Sequence, residues 1–388
     1  MRILITTVTA GAGHLAAAAA LEEAWRTARP RDLVENLDLL AFASVFQKKL
    51  FSDAYVKVAS KVPELWGLVF DKTDDPKVVR GLTRLRRLLP SRSRHRLSRL
   101  VRQTRPDVVL CTHPLPLETL GNLKEESVSP ALDVPSTRSR ASRFSHAKPF
   151  VVSVVTDFEA HAFWMEPRVD LYCVAADETK ARLVARGARA NDVVSTGIPI
   201  SAKFSIRASA RTVRKEWGLR NDLPVVLVLS GGFGMGPVGK ILVELDKAQT
   251  RFQVLVVCGR NERLRRELSA RDSGRPTQVV GFTTEMHKLM EVSDLIVSKS
   301  GGLTASEALA SGTPLLILNP IPGQETANSD FLLEHGAAAK VNRIEDLPYR
   351  VEHLLGSKKL IEMTRSARAL GRPDAAKAVC REVLSRLE

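Results

Sequence analysis

Short runs of Val, Ile and Leu recur along this chain, nearly every one followed by a helical pattern. This alternation limits the fold more than any other feature. In the first half the runs fall at 2–8, 33–37, 108–111, 150–156 and 171–174; in the second they fall at 225–229, 253–258, 278–280, 295–298 and 314–317. Short apolar runs without polar alternation suit parallel strands buried on both faces. Strands alternating with helices build a parallel sheet covered on both sides. At 388 residues the chain exceeds one ordinary core. The expected fold class is therefore α/β, with two doubly wound, Rossmann-like domains. The join is placed near Gly197-Ile198-Pro199-Ile200, before the polar stretch 201–211. That gives domains at 1–198 and 199–360, and a C-terminal helix over 361–388 expected to pack back on the first domain.

The net charge is +15, and it is local. Residues 76–106 hold eleven Lys and Arg and no acid; residues 134–149 hold Arg138, Arg140, Arg143 and Lys148 and no acid. Such clusters suit phosphate, in a nucleic acid or in lipid headgroups. A solvated basic face without a partner is the plain alternative. The four cysteines, Cys111, Cys173, Cys258 and Cys380, form no CxxC pair. Neither a zinc site nor a disulfide framework is signalled, and a reduced, cytoplasmic setting is expected. No apolar run has the length of a membrane-spanning helix. The opening MRILITTVTAGAGHLAAAAAL is not read as an export signal, because its apolar run stops at Thr6-Thr7 and glycines and a histidine follow.

The rhythm breaks over 39–102, which shows no clear strand. Phe42, Phe46, Phe51, Tyr55, Trp66 and Phe70 lie there. Next, Val78, Leu82, Leu85 and Leu89 recur at helical spacing, with Arg80, Arg84 and Arg87 on the other face. A basic amphipathic helix beside an aromatic-rich one is a membrane-surface pattern. It is equally the pattern of core-packing helices with charged outer faces.

Four motifs carry chemistry. Gly11-Ala12-Gly13-His14 follows the first strand. Its spacing, with Ala16, also fits a dinucleotide fingerprint with Glu35 or Asp38 as ribose acid. His14 argues for a general base at the mouth of the turn, against the plainer reading of a helix cap. The second motif, Ser230 to Gly236 (SGGFGMG), leaves backbone amides open to phosphate oxygens or forms a flexible hairpin. In the third, Ser300-Gly301-Gly302 leads into a helix expected to start around Thr304, whose free amides and dipole suit a diphosphate. Glu307, expected within about the first turn, is placed to accept both hydroxyls of a ribose, or is simply favoured there by the dipole. The fourth gathers Gln324, Glu325 and Asn328 after a strand, where a sugar's hydroxyls can be read.

In this order and spacing, the motifs resemble the lipid-directed glycosyltransferases of the two-domain GT-B type. The resemblance is to the monogalactosyldiacylglycerol synthase and processive diacylglycerol glucosyltransferase group of glycosyltransferase family 28. The N-acetylglucosaminyltransferase that forms lipid II is a more distant relative. The resemblance runs from GAGH to the region of Gly336 and includes VVTDFEAHAFWMEPRVDLYCVAADETKARLVARGARANDVVSTGIPI. It implies two Rossmann-like domains facing across a cleft, with His14 as base or acceptor orienter and Asp157 supporting it. Gly13, His161 and Trp164 fall on the acceptor side, the last two through the TD-x-x-x-H-x-x-W pattern. It assigns Gly231, Gly232 and Gly234 to the diphosphate, Phe282, Thr283 and Met286 to uracil, and Glu307 to ribose. Gln324 and Glu325 then read the donor sugar. Region 39–102 corresponds to a membrane-contacting insert, with Arg80, Arg84, Arg87, Arg92, Arg96 and Arg99 as a basic patch.

The activity so implied is inverting transfer of glucose or galactose from a UDP-sugar to a membrane lipid, foremost diacylglycerol. No cofactor beyond the donor and no metal are expected. The expected partners are the UDP-sugar, the lipid acceptor and an anionic membrane surface, without nucleic acid, at the inner face of the cell membrane. A UDP-sugar epimerase of the same fold, and a transferase using a polyprenyl-linked acceptor, are the alternatives.

Overall fold

The structure is a computed structural model. It describes residues 1–9, 11–42, 67, 70, 72–75, 77–79, 81, 92–126, 148–166, 168–231, 236–318 and 320–388. The chain divides into two units: Met1–Ala10, His14–Pro199 and Ala376–Glu388 form one; Gly11–Gly13 and Ile200–Ala375 form the other.

The first unit holds strands β1 (Arg2–Thr7), β2 (Leu33–Asp38), β3 (Val108–Cys111), β4 (Phe150–Val154), β5 (Leu171–Val174) and β6 (Val193–Ser195). All pair in parallel, in the order β2-β1-β3-β4-β5-β6. Its helices are α1 (Ala12–Ala28), α2 (Arg92–Thr104), α3 (Pro114–Glu126) and α4 (Asp177–Ala185). The two faces of the sheet bury separate cores, as parallel strands require. On one, Leu4, Val109, Cys111 and Val151 pack with Leu97 and Val101 of α2. On the other, Ile3, Ile5, Leu110 and Val152 pack with Leu21 and Trp25 of α1. Ala376, Val379, Cys380 and Val383 of the last helix, Ala375–Leu387, join that second core.

The second unit holds β7 (Val225–Leu229), β8 (Gln253–Val257), β9 (Thr277–Val280), β10 (Leu295–Ser298), β11 (Leu315–Leu318) and β12 (Ala338–Val341). They too are all parallel, in the order β12-β11-β10-β7-β8-β9. Its helices are α5 (Ala210–Glu216), α6 (Val238–Asp246), α7 (Glu262–Ser269), α8 (Met286–Glu291), α9 (Gly302–Ser311), α10 (Gln324–Glu334), α11 (Leu347–Leu354) and α12 (Lys358–Leu370). The segment 361–388, expected as one helix, thus holds the end of α12 and a separate last helix.

Both sheets reverse direction once. The reversal lies between β1 and β3 in the first unit, and between β7 and β10 in the second. In open parallel sheets, ligands bind outside the carboxyl ends of the strands at such points. Strands β6 and β12 have no counterpart among the sequence expectations; each lies at a sheet edge.

Candidate active site

In the first unit the reversal point gathers the ends of β1, β3 and β4. α1 begins at Ala12, so Gly13 and His14 occupy its first turn. The His14 ring is half-buried and does not act as a cap. Its Nδ1 lies 2.8 Å from the carbonyl oxygen of Thr112 and 2.9 Å from Thr156 Oγ1. Thr112 Oγ1 donates back to the His14 carbonyl at 3.0 Å. A carbonyl only accepts, so Nδ1 carries the proton and Nε2 keeps the lone pair. Burial lowers the His14 pKa, against the opposing pull of Asp157 and of the Thr112 carbonyl. The imidazole is therefore held neutral, in the tautomer of a base.

Sequence reasoning missed a second histidine. His113, directly after β3, meets the His14 ring edge to face, with centroids 4.8 Å apart. Its Nδ1 accepts the Leu115 N–H at 3.1 Å. Burial first, and then the neighbouring His14, press its pKa well below the usual histidine value. The rule that ligands gather at strand ends was the available signal for His113 and Thr156. Asp38, a candidate ribose acid in the dinucleotide reading, is committed elsewhere. It accepts from the backbone N–H groups of Thr9 and Leu40, at 3.1 and 3.0 Å, and so fastens the turn.

His161 and Trp164 shape the turn after β4. Trp164 is 2 % exposed and packs in the first core. His161 Nε2 donates to the Phe70 carbonyl at 3.0 Å, while its Nδ1 accepts the Phe163 N–H at 3.1 Å. Both ring nitrogens are therefore engaged within the protein.

The second unit presents its own set at the β7–β10 reversal. Ser230, at the end of β7, donates through Oγ to the Val257 carbonyl at 2.8 Å. Gly231 and Gly236 adopt φ of +74° and +129°, the left-handed region that favours glycine. Gly232 and Gly234 lie outside the described residues. α9 starts at Gly302 with Gly301 as its cap, two residues before the expected Thr304. Gly301 has no side chain to bond the first amides of α9, which leaves them for an anion. The fully buried Ser300 donates from Oγ to the Glu325 carbonyl at 2.5 Å. Glu325 Oε2 in turn accepts the Ile321 N–H at 2.7 Å. The loops after β10 and β11 are thereby tied together, with Gln324 and Glu325 opening α10 and Asn328 fully buried within it.

Glu307 is the sixth residue of α9, so it stands in the second turn and not the first. It is half-buried, its carboxyl has no hydrogen-bond partner among the described residues, and burial alone pushes that carboxyl up to about 8. Phe282, 61 % exposed, lies under the Arg260 guanidinium at 5.0 Å. Thr283 Oγ1 accepts the Glu285 N–H at 3.0 Å, and Met286 opens α8.

Of the basic patch, Arg96 and Arg99 project from the exposed face of α2, whose Leu97 and Val101 are buried. Arg80, Arg84, Arg87, the Arg92 side chain and the segment 127–147 lie outside the described residues. The four cysteines are free and buried, and burial pushes the Cys111 thiol up to about 12. No helix among the described residues is long and apolar enough to cross a membrane.

The strand orders, with His14 opening the helix after β1 and the first amides of α9 free after β10, are those of the GT-B fold. A crystal structure of MurG from Acinetobacter baumannii matches it with a TM-score of 0.61, at 15 % identity and over 99 % of each chain. That of HepE from Anabaena in complex with UDP-glucose matches with a TM-score of 0.57, at 13 % identity and over the whole of both chains. The monogalactosyldiacylglycerol synthase family model matches residues 14–135 and 133–200, and the glycosyltransferase family 28 C-terminal domain matches residues 226–379. The processive diacylglycerol beta-glucosyltransferase of Bacillus pumilus (strain SAFR-032) is 30 % identical over 292 residues, 74 % of this chain and 71 % of the relative. The chain belongs to glycosyltransferase family 28, in the group of monogalactosyldiacylglycerol synthases and processive diacylglycerol glucosyltransferases.

Proposed function

We propose that the enzyme transfers a hexose, glucose or galactose, from a UDP-sugar to diacylglycerol, with inversion at the anomeric carbon. The observation that carries this reading is the lock on His14. Its Nδ1–H is spent on the Thr112 carbonyl, so Nε2 is the nitrogen that takes a proton. The acceptor hydroxyl gives its proton to Nε2, and its oxygen forms the new bond to the anomeric carbon. The bond from that carbon to the diphosphate breaks, and its electron pair leaves with UDP. Asp157 steadies the imidazolium that forms. The amides of the β7 turn and of the α9 start meet the charge growing on the leaving diphosphate. This stabilisation is proposed without a metal. Glu307 takes the ribose hydroxyls, Phe282 to Met286 lie along the uracil, and Gln324, Glu325 and Asn328 read the sugar.

The acceptor is named from the relatives, which include a diacylglycerol glucosyltransferase. The outer face of α2, with the arginines before it, is proposed to hold the enzyme on the anionic inner face of the cell membrane. A UDP-sugar epimerase uses the same architecture; membership in family 28 favours transfer. The test is mass spectrometry of lipids after incubation with UDP-glucose or UDP-galactose in mixed liposomes. A hexosyl-diacylglycerol is expected with one donor; no new glycolipid with either would overturn the reading.

A further inference from the structure

The turn 157–164 begins at Asp157, whose charge opposes the lowering of the His14 pKa, and it is held by the carboxylate of Asp74. Asp74 Oδ1 accepts the Ala162 N–H at 2.9 Å. Its Oδ2 accepts from Arg182 Nη2 at 3.1 Å and also pairs with Arg186, the residue that caps the end of α4. Arg186 Nη1 donates to the Ala160 carbonyl at 2.6 Å, and Thr179 donates to the Phe158 carbonyl at 2.5 Å. The Phe70 carbonyl takes the His161 Nε2–H, and the Phe70 ring lies 4.3 Å from the His161 ring. Burial opposes ionisation of Asp74, but Arg186, the Ala162 amide and His161 outweigh it and hold its carboxyl below the ordinary range. Residues 70–74 belong to the aromatic and basic stretch between β2 and α2. Phe70 and Asp74 are thus fastened to the turn that begins at Asp157.

We propose that Asp74 is a positioning residue for the acceptor. By tying its own segment to the turn 157–164, with Phe70 held alongside, it fixes the segment that carries Asp157 and couples these two residues, which lie between β2 and α2, to the acceptor end of the first unit. This rests on the reading that the acceptor is a membrane lipid. Asp74 touches no reacting atom; it works through Ala162, Arg182 and Arg186.

The experiment compares the full-length wild type with Asp74→Ala, Asp74→Asn and Asp74→Glu. The readouts are initial rates against diacylglycerol mole fraction in phosphatidylglycerol-containing vesicles, UDP affinity by calorimetry, and amide hydrogen exchange over 158–164. Asp74→Ala is expected to raise the acceptor KM about tenfold while UDP affinity stays within about twofold. Amide exchange over 158–164 should quicken, and Asp74→Glu should recover most of the loss. Unchanged exchange in that turn would overturn the proposal, as would UDP affinity falling in step with acceptor KM. If Asp74→Ala does not fold, Asp74→Asn, which keeps the shape but not the charge, carries the same comparison. Should the wild type make no glycolipid from diacylglycerol, the functional reading fails, while the exchange measurement still decides whether Asp74 fastens the turn.

Discussion

The imidazole of His14 meets the carbonyl oxygen of Thr112 at 2.8 Å, and this single contact decides which of its nitrogens carries the proton. His14→Ala removes the proposed proton acceptor and changes none of the residues proposed to hold the donor. Transfer should fall roughly 10²- to 10⁴-fold, the usual worth of a general base. UDP affinity, measured by calorimetry, should be unchanged; near-normal turnover would return GAGH to a plain strand-to-helix turn.

The pH profile follows from the same environment. The base works when neutral, and burial lowers its pKa below 6.5. Activity should therefore be full above that lowered value and fall as the pH drops through it. Asp157 opposes the lowering, so Asp157→Asn should move the acidic limb of kcat/KM to still lower pH. A limb moving the other way would contradict the role given to Asp157.

Glu307, pushed up to about 8, is mostly protonated at neutral pH in the free enzyme. If the ionised carboxylate accepts both ribose hydroxyls, UDP binding releases a proton. Affinity should then strengthen as pH rises toward 8 and weaken by up to about tenfold per pH unit below it. Glu307→Gln should bind more weakly and lose this dependence. Calorimetry in buffers of different ionisation enthalpy reads the proton release directly.

Arg96 and Arg99 stand on the exposed face of α2. A basic residue near an anionic bilayer contributes about 1 kcal/mol, so reversing both charges should weaken vesicle binding at least roughly thirtyfold. Sedimentation with phosphatidylglycerol vesicles checks this, and UDP affinity serves as the control. A joint fall in both would make the patch structural.

Trp25 is fully buried, and its Nε1 donates to Asp32 at 3.0 Å. It packs in the core that also takes Val379 and Val383 of the last helix. Trp25→Ala should cost about 3–5 kcal/mol, seen as a lower denaturation midpoint.

Much of this was legible without coordinates. Of the ten strands readable in the sequence, eight are central, buried on both faces, and read as apolar runs; β2 and β9 are edge strands legible from the strand–helix rhythm. The edge strands Val193–Ser195 and Ala338–Val341 escaped because the first is three residues long and the second is largely alanine and lysine. The register of α9 was misjudged because Gly301-Gly302 resembles a turn, while Gly302 already stands inside the helix.

The sequence alone determined the two Rossmann-like sheets, the family and the residue types of the site, because these rest on local pattern and motif spacing. Only the tertiary structure decided what the residues do to one another. Thr112, 98 positions from His14, chooses its protonated nitrogen through a carbonyl that can only accept. Asp74, in a stretch whose pattern suggested a membrane surface or core-packing helices, takes hold of Ala162, Arg182 and Arg186. A tautomer and an ion-pair hub depend on atoms brought within about 3 Å by the order of strands in a sheet, and no local pattern records that order.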